Sequence, residues 1–475
     1  MQLVIMNNVQ LDSTHLSQLH PRFYNLESIT ALKNSRLASL NHILAKELGI
    51  DISVLDKEKF IAWHNGEINL QGSTPHAYAY SGHQFGYFVP NLGDGRTINL
   101  GKLESYHLQL KGAGVTKYSR EGDGRAVLRS SIREYLASEA MHGLGIPTTR
   151  ALSLIASDTP IYRKGGFERG AMVMRASSSW VRIGSFEFAY LGANKVEKIT
   201  NLANFVITQN YPHLQNYPNK YTLLYQDIVQ NSANLFALWQ SVGFVHGVLN
   251  SDNMSILGQS IDYGPYGFME RFESTFVPNL SDFEGRYAYE NQPMIAQWNL
   301  EKLAKVFAVI AQTNTIETYT QSFMQRFKKA YTLKMQQKLG ILEPRKADRV
   351  LIKTLLQALQ RDGIDYTLFF YYLAYNDQAK IKSMAKEALN SWLQSYEQRV
   401  IDTSLQKRMK LMQQHNPKYI LREYMLEDAI VRANENDFTA IDTLLKIVQN
   451  PFDAHKEHEH FLVPSVRVMG CSCSS

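Results

Sequence analysis

Apolar positions along this chain change their spacing near its middle. In the first half they fall in short alternating runs interrupted by glycine, and in the second half they recur every three or four residues. Alternation marks a strand with one face buried, and the longer interval marks an amphipathic helix. The first helical period is Leu37, Leu40, Ile43, Leu44 and Leu48, with Asn34 or Ser35 as cap and Gly49 as stop. From about Tyr80 to Lys117 the pattern predicts short strands, one of them around Leu108 and Leu110. LRSSIREYLASEAMHGLGIP then reads as a helix with Ile132, Tyr135, Leu136 and Ala140 on one face and Pro147 beyond its end. ALSLIAS and GAMVMRAS supply two more strands, so the order to about residue 180 is sheet, helix, sheet. Beyond Lys195 the strong periods are helical, at 222–241, 299–313, 317–338, 348–361, 379–397 and 436–448. No tandem repeat or low-complexity linker divides the chain.

Composition narrows the function classes. The 475 residues are 44% apolar and 20% charged, an ordinary globular balance with length for two or three packed units. The net charge of +6 is not gathered into a basic run, so the expectation is weak steering toward anionic ligands and no nucleic acid partner. No apolar stretch approaches the roughly 20 residues that span a bilayer. The opening MQLVIMNNVQLDSTH has neither the charged and apolar regions of a secretory signal nor an Arg-rich amphipathic pattern. A soluble, cytoplasmic protein without a membrane partner is expected. Its two cysteines, Cys471 and Cys473, exclude a disulfide framework or a four-cysteine zinc site.

The segment that carries most chemistry is VHGVLNSDNMSILGQSIDYGP. Protein kinases hold Mg²⁺ with the Asn of H-R-D-x-x-x-x-N and the Asp of D-F-G, and the loop Asp takes the proton of the substrate hydroxyl. Counted from His246, the Asn is Asn253, and Asp262, Tyr263 and Gly264 stand as a D-F-G-like triplet. The loop Asp position holds Val248, which accepts no proton. The nearby carboxylate is Asp252, beside the metal Asn. In the first half, strand-borne Lys111 precedes helix-borne Glu134 by 23 residues, a spacing that suits the pair by which kinases fix their phosphate-gripping lysine. A surface lysine and a solvated glutamate would be the plainer reading without the D-F-G-like triplet. The expected architecture is α+β: a two-lobed, protein-kinase-like fold with N-terminal and C-terminal helical extensions. The divisions fall at 1–79, 80–190 for the small lobe, 191–390 for the helical large lobe with the metal site, and 391–475.

GDGR occurs twice, at Gly93–Arg96 and Gly122–Arg125. Glycine lets backbone approach a phosphate closely, and arginine offers a planar fork of donors. A single Asp-Gly pair is more often a plain turn, but two copies in one lobe are harder to dismiss. Arg175 and Arg182, seven apart in MVMRASSSWVRIG, offer a second guanidinium pair, or else a surface pair at a strand end.

These stretches together resemble a known family. YSGHQFG, LGDGR, LKGAG, YSREGDGRAVLRSSIREYLASEAMHGLGIPTTRAL, HGVLNSDNMSI and IDYGPYGFM are similar to selenoprotein O, the bacterial YdiU family of kinase-like protein adenylyltransferases. The resemblance implies ATP inverted relative to ordinary kinases, so that the α-phosphate meets the acceptor. AMP would then be attached to a protein hydroxyl on Ser, Thr or Tyr, and pyrophosphate would leave. Some members transfer UMP from UTP with Mn²⁺. Carried onto this chain, the resemblance puts Gly93, Gly95 and Arg96 on the nucleotide. Lys111, Asp123, Gly124, Arg175 and Arg182 stand around the phosphates. Asp252 is the proton acceptor, and Asn253 and Asp262 hold Mg²⁺ or Mn²⁺, with Asp262 also reaching the nucleotide. Hard oxygen donors suit either ion. Two alternatives keep the same metal site: a phosphotransferase working through Asp252, and a nucleotide-binding pseudokinase scaffold without catalysis. Family members often carry a cysteine or selenocysteine near the C-terminus, some with a core partner in the segment after DYGPYGFM. Here that segment reads FESTFVPNLSD, so a tail-to-core disulfide has no second cysteine.

Overall fold

The computed structural model describes residues 9–464, so Cys471 and Cys473 lie outside the described residues. The first half folds as an antiparallel sheet. Its strands are β1 (Tyr24–Leu26), β2 (Arg36–Leu40), β3 (His76–Gln84), β4 (Tyr87–Gly93) and β5 (Thr97–Leu103). They continue as β6 (Tyr106–Lys111), β7 (Ala126–Val127), β8 (Arg150–Arg163) and β9 (Gly166–Ser177). The spatial order is β1-β3-β5-β6-β9-β8-β2, with β4 paired to β3 and β7 to β9. A second, two-stranded ribbon joins β10 (Phe244–Val245) to β11 (Gly267–Phe268) and frames the segment between them.

Two short helices, α1 (His42–Glu47) and α2 (Lys57–His64), precede β3, and α3 (Leu128–Gly143) lies between β7 and β8. Then come α4 (Ile183–Ala189), α5 (Lys195–Asn210), α6 (Lys220–Ser241), α7 (Gln292–Phe307) and α8 (Thr313–Lys338). Seven more helices follow between Asp348 and Gln449 among the described residues. The molecule is thus a mixed α and β fold built on an antiparallel sheet.

The helix expected from Leu37 to Leu48 is shorter than its pattern. Arg36–Leu40 is a strand paired with β8, and the helix starts only at His42, capped by the Asn41 side chain, which accepts from the Leu44 N–H. Leu37 and Leu40 fitted the helical period by coincidence of spacing. The expected helix at 379–397 is two helices, Gln378–Met384 and Glu387–Val400. The break is stabilised from outside: the Asp362 carboxylate accepts from the Lys386 and Leu389 N–H groups, a cap supplied by another helix.

α3 is buried along nearly its whole length, with Ile132, Tyr135, Leu136 and Ala140 all in the core as their spacing predicts. Two C-terminal helices, Glu423–Asn434 and Thr439–Gln449, pack against it. Arg133 of α3 pairs with Glu423, and Ser39 of β2 donates to Asp442. The C-terminal region therefore returns to the sheet and buttresses the helix that carries Glu134.

Candidate functional site

A cleft of about 760 Å³ opens along the ends of β3–β6 and β9, with the segment around 248–265 as its other wall. That volume is in the range of small-molecule sites. Gly93, Gly95, Arg96, Lys111, Asp123 and Gly124 line it, and so do Arg175, Arg182, Asp252, Asn253 and Asp262. The sequence-derived candidates thus converge on one place.

Strand register explains part of this. Gln109 of β6 faces Arg175 of β9, and Lys111 follows two residues later, so all three side chains share one face of the sheet. Glu134 of α3 meets that face. It pairs with Lys111, as its spacing predicts, and also accepts from Arg175 at 2.6 Å. Burial alone would raise the Glu134 carboxyl, but Lys111 and then Arg175 outweigh it and hold it below its ordinary value.

Asp262 is gripped harder. Its Oδ1 accepts from Arg175 at 2.8 Å and its Oδ2 from Arg182 at 2.6 Å, while the Lys111 ammonium lies 3.8 Å away. Desolvation is overcome by Arg182, Arg175 and Lys111, which hold this carboxyl well below the usual carboxylate range. Its backbone takes the left-handed conformation, φ 55°, a cost for a non-glycine residue that surrounding contacts must offset. The two arginines are committed in this structure beyond Asp262. Arg175 also donates to Gln109 and lies over the Trp180 ring, and Arg182 donates to the Asp252 carbonyl and lies over Tyr80.

Asp252 has the opposite surroundings. It is buried; Gln84 Nε2 donates to its Oδ2 at 3.1 Å, and among the described residues it has no ion pair and its Oδ1 has no hydrogen-bond partner. Burial pushes its carboxyl up to about 6, against the opposing pull of the Gln84 hydrogen bond and of Arg182. Next to it, Asn253 commits its amide nitrogen to the Val248 carbonyl at 2.9 Å, which orients its amide oxygen for a different partner. Among the described residues no group of three or more His, Cys, Asp or Glu could hold a metal ion. Asn253 and Asp262 instead provide two hard oxygen donors, a set that fits Mg²⁺ or Mn²⁺ when nucleotide phosphates complete the shell.

The two GDGR stretches differ. In the first, Asp94 points inward and accepts from the Tyr78 N–H and the Asn99 and Gln109 amides, while Arg96 lines the cleft with no ion pair among the described residues. Gly93 and Gly95 pass so close to Tyr118 that a Cβ at Gly93 would lie 2.4 Å from its ring. In the second, Asp123 pairs with Arg163 at 2.6 Å. Arg125, which the sequence offered as a second phosphate donor, gives its N–H groups to the carbonyls of Thr30, Ala31 and Gly112. It braces the loop. Arg163, at the end of β8, lines this corner of the cleft together with Arg120 and Arg125, and nothing in its local sequence singles it out.

A family model described as "Protein adenylyltransferase SelO" matches residues 7–449. The protein nucleotidyltransferase YdiU of Erwinia tasmaniensis is 40% identical over 463 residues, covering 95% of this chain and 96% of that protein. The YdiU protein of Klebsiella pneumoniae is 42% identical over 453 residues, 93% of this chain and 94% of its own length. That of Pectobacterium atrosepticum is 40% identical over 486 residues, 99% and 100% of the two chains. On a match of that length this chain belongs to the SelO family of protein adenylyltransferases.

Proposed function

We propose that this chain is a protein nucleotidyltransferase that moves AMP from ATP, or UMP from UTP, onto a Ser, Thr or Tyr hydroxyl of an acceptor protein. In this reading the acceptor oxygen attacks the α-phosphorus, its proton passes to Asp252, and the bond to the β-phosphate breaks with pyrophosphate leaving. Gly93, Gly95 and Arg96 bind the nucleotide. Lys111, Asp123, Gly124, Arg175 and Arg182 serve the phosphates, with Glu134 fixing Lys111. Asn253 and Asp262 hold Mg²⁺ or Mn²⁺, which when bound screens charge that develops on the phosphates. The lobes follow a protein-kinase-like plan around the cleft, at 80–190 and 191–390. In the same reading 1–79 is an N-terminal extension and 391–475 a C-terminal one; β1 and β2, which join the sheet of the first half, support the former. Among the described residues no helix is long and apolar enough to cross a membrane, and we place the activity in the cytoplasm.

One observation supports this reading above the rest. Val248, which takes the place of the kinase base in the sequence motif, lines the cleft, and so does Asp252, which has no cationic partner among the described residues. A carboxylate base contributes about 10²- to 10⁴-fold. Intact-mass measurement of acceptor protein after incubation with ATP and Mg²⁺ or Mn²⁺ tests the proposal: an AMP adduct supports it, and a phosphate adduct alone supports the phosphotransferase reading.

A further inference from the structure

Asp252 is held in place from an unexpected quarter. The β3–β4 hairpin tip and the start of α4 both press on the segment that carries it. A Cβ at Gly82 would lie 2.4 Å from Asp252 Oδ1, and one at Gly184 would lie 2.1 Å from the Ser81 carbonyl and 3.2 Å from Asp252 Cα. Only the smallest residue lets these elements approach so closely.

Inside that junction sits a closed ring of hydrogen bonds. The His83 N–H donates to Ser251 Oγ at 2.7 Å, and Ser251 Oγ donates to Glu187 Oε2 on α4. The other carboxylate oxygen, Glu187 Oε1, lies within hydrogen-bond distance of His83 Nδ1. Ser251 immediately precedes Asp252, and Gln84, which donates to Asp252, immediately follows His83. The ring therefore fixes both the base and its one side-chain donor. Glu187 is buried, 5% exposed, and among the described residues it has no lysine or arginine ion pair. Burial raises its carboxyl to about 7. Burying a carboxylate with so little charge compensation opposes folding, so the placement is not explained by stability.

We propose that Glu187 is a positioning residue for the reaction, acting through Ser251 and the His83–Gln84 tip to set the direction of the Asp252 carboxylate. α4 already anchors the other side of that segment, since Arg182 donates to the Asp252 carbonyl at 2.7 Å and the Ile183 N–H donates to the Met254 carbonyl at 2.9 Å. Glu187 completes a two-sided grip on one residue. The inference rests on Asp252 being the base.

The test compares Glu187→Ala, Glu187→Gln and Ser251→Ala in the full chain, with Asp252→Asn as the control. Misplacing a reacting group by a fraction of an ångström lowers turnover while leaving a distant nucleotide contact intact. Glu187→Ala and Ser251→Ala should each lower kcat by about 10- to 100-fold, with the KM for ATP changed by less than about 3-fold. Glu187→Gln should recover most of that loss, because its amide can accept from Ser251 and donate to His83 Nδ1. Glu187→Ala added to Asp252→Asn should cost nothing further, since residues acting as a unit are non-additive. If Glu187→Ala fails to fold, Ser251→Ala, which removes only a hydroxyl, carries the test. Parent-like kcat in Ser251→Ala, an equal loss in ATP binding, or full additivity with Asp252→Asn would overturn the proposal. An Asp252→Asn enzyme with parent kcat would overturn the base assignment itself, whatever the Glu187 variants do.

Discussion

Asp252 and Asp262 are the same residue type on opposite sides of one turn of chain, and the fold treats them in opposite ways. Asp262 is surrounded by Arg175, Arg182 and Lys111, which hold its carboxyl well below the usual carboxylate range. Asp252 is buried beside an amide, with no cation paired to its carboxylate among the described residues, and burial pushes it up to about 6. A carboxylate that must hold a cation has to remain charged, and one that must take a proton needs a pKa close to the working pH. The division of labour proposed above follows from surroundings that the two side chains do not share.

Removing the cation-binding member should do the most damage. Asp262→Ala takes away the anion on which Arg175, Arg182 and Lys111 converge, leaving Glu134 alone to balance Lys111 and Arg175 and removing the carboxylate that pairs with Arg182. Transfer should fall by more than about 10⁴-fold, and Mg-ATP affinity should fall with it in titration calorimetry. Asp252→Asn should lower kcat by about 10²- to 10⁴-fold while Mg-ATP binding survives. Both variants binding Mg-ATP as the parent does would remove Asp262 from its metal role.

The pH dependence sharpens the same contrast. A base works deprotonated, and burial has raised Asp252 above its ordinary value, so kcat/KM should be level above pH about 6 and decline tenfold per unit below it. Asp262, held well below the usual range, should contribute no second acid limb in that interval. An acid limb near pH 4 in place of 6 would mean that the titrating base is a solvated carboxylate.

The arginines give a smaller effect. Arg182→Lys keeps the charge but loses the planar fork, which is not conservative where two acceptors are bridged. ATP affinity should drop by about 10-fold and AMP affinity by less, and equal losses would take Arg182 away from the β- and γ-phosphates. At the two GDGR stretches the expected effects separate. Arg96→Ala should weaken ATP binding with little change in Tm, whereas Arg125→Ala, which strips donors from three carbonyls, should lower Tm by several degrees and spare ATP affinity in the folded fraction.

How much of this was legible in the sequence depended on where each contact originates. Lys111 and Glu134, and likewise Asn253 and Asp262, lie close together along the chain, so motif and period bring them into view. Gln84, Arg163 and Glu187 were missed because each acts across a gap the sequence does not encode locally. Gln84 reaches Asp252 from 168 residues away, and Glu187 looks like any helical glutamate until Ser251 and His83 are folded against it. The carbonyl partners of Arg125 are hidden from the sequence for the same reason, Thr30 and Ala31 being 95 and 94 residues distant. The helical period over Leu37–Leu48 failed where tertiary pairing overrode it, since Arg36–Leu40 found an open strand edge at β8.

The most direct trial of the central claim is to supply ATP labelled separately on the α- and γ-phosphates, with Mg²⁺ or Mn²⁺, and to follow which label becomes covalently attached to protein. Stable incorporation of the α-label, none of the γ-label, and loss of incorporation in Asp262→Ala are expected. Incorporation of the γ-label alone would contradict that claim and make Asp252 the base of an ordinary kinase reaction.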